Sequence, residues 1–177
     1  LRDGGSQHFV DCIRRTRELS PQTQIEILVP DFRGRDDRAL SILTLAPPDV
    51  MNHNMETVPR LFKTIQPQDQ YEWAAKTLSN AKKLDPEVLT KSGIMVGLGE
   101  ELEEVKAVMR DQRSWGVDIL TIGQYLRPTT NHLPIHRWWT PDEFSELKHI
   151  GEAMGIDHVE SSPLTRSSYH ARQAEAA

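Results

Sequence analysis

Apolar positions along the chain alternate between a helical period and short continuous runs. Within residues 6–19, Phe9, Ile13 and the stem of Arg17 recur on one helical face. That segment stops before Ser20-Pro21, because proline restricts the residue preceding it. Ile25-Glu26-Ile27-Leu28-Val29 has the character of a buried strand closed by Pro30-Asp31-Phe32-Arg33-Gly34. Helical spacing returns over residues 35–45 through Ala39, Leu40, Ile42 and Leu43, and breaks at Ala46-Pro47-Pro48. Val50-Met51-Asn52-His53-Asn54 then reads as a short strand that turns polar at its end. A connection over residues 56–67 leads to a helix over 69–84, with Tyr71, Ala74, Leu78 and Ala81 on one face and Asp69-x-x-Glu72 resembling a capping box. Gly93-Ile94-Met95-Val96-Gly97 is a third strand, followed by a helix carrying Leu102, Val105 and Met109. Residues 118–123 form a fourth strand, and a long polar loop runs over 124–139. Thr140-Pro141-Asp142-Glu143 starts a last helix, in which Thr caps, Pro occupies the first turn and Glu reaches back. That helix ends near Gly155, and residues 156–160 are a final extended piece.

Strands alternating with helices imply an α/β fold with a parallel sheet and right-handed crossovers. A doubly wound sheet and a βα barrel both fit. The barrel is preferred because polar residues recur at the C-terminal ends of the strands, where barrel enzymes build their sites: Asp31, then Asn52 and Asn54, then Gly97-Leu98-Gly99-Glu100, then Gln124 and Tyr125. About four strands cannot close a barrel. Leu1 is not an initiator Met, and Asp3-Gly4-Gly5-Ser6 gives a turn and a helix N-cap before any strand. An N-terminal portion carrying further strands is therefore expected.

Composition narrows the class. The 177 residues, 37% hydrophobic and 27% charged, suit one domain with a real core. No run of about 18 apolar residues and no signal-peptide pattern occurs, so a cytoplasmic location is expected. The net charge of −5, with both signs interspersed, points to neither nucleic acid nor a membrane surface as partner. A single cysteine, Cys12, excludes an internal disulfide and any multi-cysteine metal site built from these residues alone.

Several features carry candidate chemistry. Gly97-x-Gly99 between strand and helix has the form of a phosphate-holding turn, although Glu100 and Glu101 would repel an anion. Its alternatives are a plain tight turn, or a close backbone approach to an uncharged group such as an adenine or ribose. His132 and His136 have a metal-like spacing, but Pro134 between them disfavours a helix. His53 between two asparagines suits a hydrogen-bonding role at the mouth. Trp138 and Trp139 read as a hydrophobic staple before the capped helix, and Met55, Met109 and Met154 as core filling on helix faces. Arg166-Ser167-Ser168-Tyr169, taken alone, is polar terminal coil. The residues by themselves thus reach an α/β barrel-like enzyme with a polar mouth.

Five motifs go further. Val29-Pro30-Asp31-Phe32-x-Gly34, Asn52-His53-Asn54-x-Glu56-Thr57-Val58-Pro59, the segment from Lys91 to Glu100, Gly123-Gln124-Tyr125-Leu126-x-Pro128-Thr129 and Arg166-Ser167-Ser168-Tyr169 occur in order. Together they resemble the lipoyl synthases, a family of radical S-adenosylmethionine enzymes. The resemblance implies part of a six-stranded partial (β/α) TIM-like barrel over residues 1–160, and a C-terminal tail over 161–177 that closes the barrel mouth. It implies a sulfurtransferase that inserts two sulfur atoms at C6 and C8 of an octanoyl chain on a lipoyl-carrier protein, in lipoate biosynthesis. The implied cofactors are S-adenosylmethionine and two 4Fe-4S clusters, one to cleave S-adenosylmethionine and one to supply sulfur. An electron donor is the further partner.

Residue by residue, Ser168 resembles the family's oxygen ligand to the auxiliary cluster, with Arg166 close to that cluster. Gly93, Met95, Gly97 and Glu100 resemble the G-x-I-x-G-x-x-E pattern that contacts the adenine side of S-adenosylmethionine. Asn54, Glu56, Gln124 and Tyr125 fall in the cofactor and substrate pocket by the same resemblance. Both three-cysteine motifs of the family are absent, since Cys12 matches neither. Thiolates hold such clusters. The chain alone is therefore expected to be inactive, with the cysteines in a preceding portion. A biotin-synthase-like sulfur inserter and a non-catalytic module that binds the carrier protein are the alternatives.

Overall fold

The computed structural model describes residues 1–168, Leu84 by its backbone only. Five strands, β1 (Glu26–Leu28), β2 (Val50–Asn52), β3 (Leu89–Val96), β4 (Ile119–Gln124) and β5 (His158–Ser162), lie side by side in chain order. Every neighbouring pair is parallel. A doubly wound sheet would reverse its strand order at a switch point. The unbroken order is that of a barrel wall, left open at β1 and β5 among the described residues. The extended piece after the last helix is thus a full strand, paired with β4 from Ile119↔His158 to Gly123↔Ser162.

Helices α1 (Ser6–Leu19), α2 (Asp36–Leu43), α3 (Pro59–Ile65), α4 (Tyr71–Leu84), α5 (Leu102–Ser114) and α6 (Pro141–Ala153) fill the connections. Alternation along the strands divides the sheet into two chemically different faces. Ile27, Met51, Ile94, Val96, Leu120, Ile122 and Val159 enter the apolar core. The intervening positions are mixed: Val50 and Ile119 are buried and apolar, whereas Gly93, Met95, Thr121 and Gly123 line a cavity. Deeper on the same face, Lys91 is 0% exposed and its Nζ donates to both Glu26 carboxylate oxygens at 3.0 and 3.1 Å. Asn52 Nδ2 donates to the same carboxylate at 2.9 Å, so one acid joins three adjacent strands. A buried ammonium without such a partner would be strongly destabilising.

The apolar core has two parts. Val10 and Ile13 of α1, with Ala39, Leu40 and Leu43 of α2, pack on Ile27 and Met51. Met109 of α5 and Phe144 and Leu147 of α6 pack on the larger strands. Met55 and Met109 are fully buried, but Met55 sits in the segment after β2 and not on a helix.

Helix starts differ in detail from the sequence pattern. The connection over residues 56–67 contains α3, which has proline in its first turn. Helix α4 begins after Gln70 with no side-chain cap, so Asp69 does not form a capping box. At α1 the N-cap is Gly5, and the Asp3 carboxylate accepts from the N–H groups of Gly5 and Gln7. At α6 the capping box is present: Thr140 Oγ1 accepts from Glu143 N at 3.3 Å, and Glu143 Oε2 accepts from Thr140 N at 2.7 Å. A second box, Glu101 with Glu104, opens α5. Removing the α6 cap by Thr140→Ala is expected to cost about 1 kcal/mol, because an orphan helix N–H loses its acceptor. Urea unfolding that leaves the midpoint unchanged would contradict this.

Candidate functional site

The polar face of the sheet ends in a cavity of about 190 Å³ beyond the C-terminal ends of β3 and β4. Asn54 and Glu56 line it from the segment after β2, Gly93 and Met95 from β3, and Gln124 from the end of β4. Thr121, Gly123 and Leu126 also line it, and Thr165, Arg166 and Ser167 contribute from after β5. Six of the ten residues singled out from sequence therefore meet at one cavity. Gly97, Glu100 and Tyr125 belong to the structure around the rim. Ser168 is exposed and does not line the cavity, and Tyr169 lies outside the described residues.

Two glycines keep this space open. A Cβ on Gly93 would lie 2.8 Å from Thr121 Oγ1 and 2.9 Å from Asn54 Oδ1. On Gly123 it would collide with the carbonyl of Thr165, where the terminal segment crosses β4. That segment is pinned by Thr165 N donating to Ser162 O at 3.1 Å and by the Ser162 and Thr165 hydroxyls 2.8 Å apart. Asn52 Nδ2 also reaches Ser167 O at 3.5 Å. Glu56 has φ 67, a left-handed conformation that a non-glycine residue adopts at a cost. Its backbone is held to β3 by Glu56 N to Gly93 O at 2.9 Å and Met95 N to Glu56 O at 2.8 Å. Burial raises the Glu56 carboxyl above its ordinary range, and a hydrogen bond with Asn54 opposes the rise. Asn54 Oδ1 is buried and has no hydrogen-bond partner.

The glycine turn after β3 is not an anion cradle. Glu100, 4% exposed, folds back so that its carboxylate accepts from Gly97 N and from Leu98 N at 2.9 Å. The protein's own carboxylate occupies the position an external phosphate would take. The same carboxylate accepts from Trp139 Nε1 at 2.9 Å, a link the sequence pattern did not disclose. Gln124 completes the rim: its Oε1 accepts from Trp139 N at 3.0 Å and its Nε2 donates to Arg137 O at 3.2 Å. Trp139 and Phe144 share one core cluster, as a staple requires, whereas Trp138 is exposed. Tyr125 donates its hydroxyl to Leu133 O at 3.0 Å, which folds the long loop back on itself.

His132 and His136 do not form a metal site. His132 Nδ1 pairs with Thr129 Oγ1 at 2.9 Å, and among the described residues no group of three His, Cys, Asp or Glu could hold a metal ion. Cys12 is exposed on α1 and lines neither cavity. A second cavity, of about 470 Å³, adjoins the first and shares Asn54 and Glu56 with it. Asp31, His53, Gln66 and Asp69 are among its walls. Burial first, then a hydrogen bond and like charge from Asp69, push the Asp31 carboxyl up to about 6, while the Arg33 N–H opposes the rise. Sequence reasoning missed this pair because it assigned Asp69 to a helix cap. Its only signal was an acid just before each of two helical elements, Phe32–Gly34 and α4.

Comparison with known proteins places the chain among relatives. No family model matches it. It is 60% identical over 173 residues to the lipoyl synthase of Thioalkalivibrio sulfidiphilus, covering 98% of this chain and 54% of that protein. With the lipoyl synthase of Acidovorax ebreus the identity is 60% over 178 residues, covering 100% of this chain and 55% of the relative. The lipoyl synthase of Xylella fastidiosa is 57% identical over 173 residues, 97% of this chain and 46% of that one. The chain is homologous to these proteins over essentially its whole length and spans about half of theirs.

The Asp31 carboxyl, raised from 3.8 to about 6, binds its proton more tightly in the folded than in the unfolded chain. The folded state holds more protons between those values, so this group's contribution to stability falls as pH rises across them. The displacement is worth at most ~3 kcal/mol, and solvent screening at the open cavity reduces it to about 1 kcal/mol. Asp31→Asn is therefore expected to stabilise the protein by about 1 kcal/mol near pH 7 and to be neutral near pH 4. Identical urea midpoints for the two proteins near neutral pH would contradict this.

Proposed function

We propose that this chain is the cavity-bearing half of a lipoyl synthase, a sulfurtransferase that inserts two sulfur atoms into an octanoyl chain carried on a lipoyl-carrier protein. The observation that carries the reading is convergence. Asn54 and Glu56, Gly93 and Met95, Gln124, and Arg166 with Ser167 come from four separate motifs and line one cavity. The 57–60% identity to lipoyl synthases over the whole chain supports it.

The cavity residues fit part of S-adenosylmethionine. An unpartnered buried amide oxygen on Asn54, a buried carboxyl on Glu56 and a floor cleared by Gly93 suit a neutral, hydroxyl-rich group. When bound and reduced, S-adenosylmethionine supplies an adenosyl radical able to abstract hydrogen from unactivated carbon. Asn54 and Glu56 would orient it, and Met95 and Leu126 would exclude water beside it. The terminal segment, with Arg166 and Ser167, would close the mouth.

Iron–sulfur clusters do not fit the residues of this chain alone. Such clusters need thiolates, and the sole cysteine is exposed on α1. In our reading the cysteine ligands of both clusters belong to the other half of the enzyme, and Ser168 adds one oxygen ligand to the auxiliary cluster. The 177 residues would then be inactive by themselves. The octanoylated carrier protein and an electron donor are the partners of the intact enzyme. No helix among the described residues is long and apolar enough to cross a membrane, and we assign the enzyme to the cytoplasm.

Anaerobic reconstitution of the intact protein should yield two 4Fe-4S clusters by iron and sulfide quantitation, whereas a non-catalytic module would carry none. Ser168→Ala should abolish lipoyl formation and alter the auxiliary cluster's spectrum while S-adenosylmethionine is still cleaved. Normal lipoyl formation by that variant would refute the role of Ser168.

A further inference from the structure

The second cavity has a recognition chemistry of its own, which does not depend on the proposed reaction. Asp31 is 9% exposed, its Oδ2 is buried and receives no N–H donor, and the neighbouring acid Asp69 stands against its carboxyl. Its other oxygen, Oδ1, accepts from Arg33 N at 3.3 Å, within a turn in which Phe32 and Arg33 have φ 51 and 48. This turn fixes the carboxylate at the end of β1. His53, 8% exposed, supplies an independent acceptor. Its Nδ1 lies 2.8 Å from Val29 O, and a carbonyl only accepts, so the proton is on Nδ1. Burial holds the ring neutral, which leaves Nε2 with a free lone pair on a residue that lines the cavity. Asp69, at the entry to α4, supplies the second carboxylate. Arg33, the cationic residue in the wall, directs Nη2 to Gln68 Oε1 at 3.2 Å.

Two carboxylates and an imidazole would ordinarily suggest a metal ion. Among the described residues, however, no three such groups converge closely enough to hold one. Asp31 and Asp69 instead lie against each other, and His53 lines the same space of about 470 Å³. Two adjacent carboxyl groups with a neutral acceptor in the same wall are matched by a ligand that spreads positive charge over several N–H donors. Guanidinium has five such donors in a rigid plane and pairs with carboxylates in a forked geometry, whereas an ammonium concentrates its charge at a point.

We propose that the cavity between the end of β1 and the start of α4 binds a guanidinium group, with the carboxylates of Asp31 and Asp69 and Nε2 of His53 as its acceptors. The group comes either from an arginine side chain of a polypeptide or from a free small molecule.

Titration calorimetry of the intact protein with Nα-acetyl-L-arginine amide, in the absence of S-adenosylmethionine and reductant, tests this without sulfur chemistry, so its outcome is separable from that of the lipoyl synthase reading. Saturable binding is expected, at least tenfold weaker in Asp31→Asn and in Asp69→Asn. Far-UV circular dichroism verifies the fold of both variants, and Asp69, at a partly exposed position, provides a second reading independent of Asp31. Glu87→Gln, at an exposed position away from the cavity, should bind as the unaltered chain does. A Gly-Gly-Arg-Gly-Gly peptide that binds tenfold more tightly than the amide identifies a polypeptide source, and equal affinity identifies a free molecule. The proposal is overturned by absence of saturable binding up to about 10 mM, by unchanged affinity in both aspartate variants, or by Asp31-dependent binding of Mg²⁺ in place of the arginine amide.

Discussion

The buried carboxylate of Glu100 is the constraint on which the rest of the mouth depends. An unpaired charge at that depth would be costly, and three donors meet it: two amides of its own glycine turn and the indole N–H of Trp139. The turn needs glycine because Gly97 and Gly99 have φ 104 and 110. Trp139 immediately precedes the Thr140 cap, so the acid after β3 also sets where α6 begins. Helix α6 packs on β5, as Ser161 Oγ donating to Phe144 O at 2.8 Å illustrates, and β5 delivers Thr165 and Arg166 to the cavity. A single carboxylate thereby connects the turn after β3 to the terminal wall of the site.

The second determinant is the unequal division of the sheet. Closed βα barrels fill their interior with layers of branched apolar side chains. Here most such residues face the helices, and the other face carries Glu26, Asn52, Lys91, Thr121 and two glycines beside Val50 and Ile119. That face cannot collapse into a dry core, since its charges need partners and its glycines leave no side chain to fill space. A cavity results where Gly93 and Gly123 occupy adjacent strands, and the terminal segment lies over it because β4 offers no Cβ there.

Much of this was legible in the sequence. Periodicity gave the alternation of strands and helices, and Thr140-Pro141-Asp142-Glu143 gave a helix start confirmed atom by atom. Polar residues at strand ends marked Asn54 and Gln124, because parallel strands bring all their C-terminal ends to one side, whereas Glu56 was reached through resemblance alone. Other features rest on long-range contacts that no local pattern encodes. Glu100 looked like a source of repulsion in a phosphate turn, yet it is the ligand of that turn. Asp69 looked like a cap, yet it faces Asp31 from a different element. Helix α3 was hidden by its seven-residue length, too short for a helical period to declare itself. The role of Ser168 was reached through resemblance alone, and the residue is exposed and lines neither cavity.

The central claim is that separated motifs form one S-adenosylmethionine mouth. Hydrogen–deuterium exchange of the intact enzyme, with and without S-adenosylmethionine, measures it directly. The account predicts that the cofactor slows exchange together at the backbone after β2 near Asn54 and Glu56, along β3 at Gly93 to Met95, at Gln124, and in the terminal segment at Arg166 and Ser167. Protection confined to other parts of the enzyme, with these amides unchanged, would contradict it.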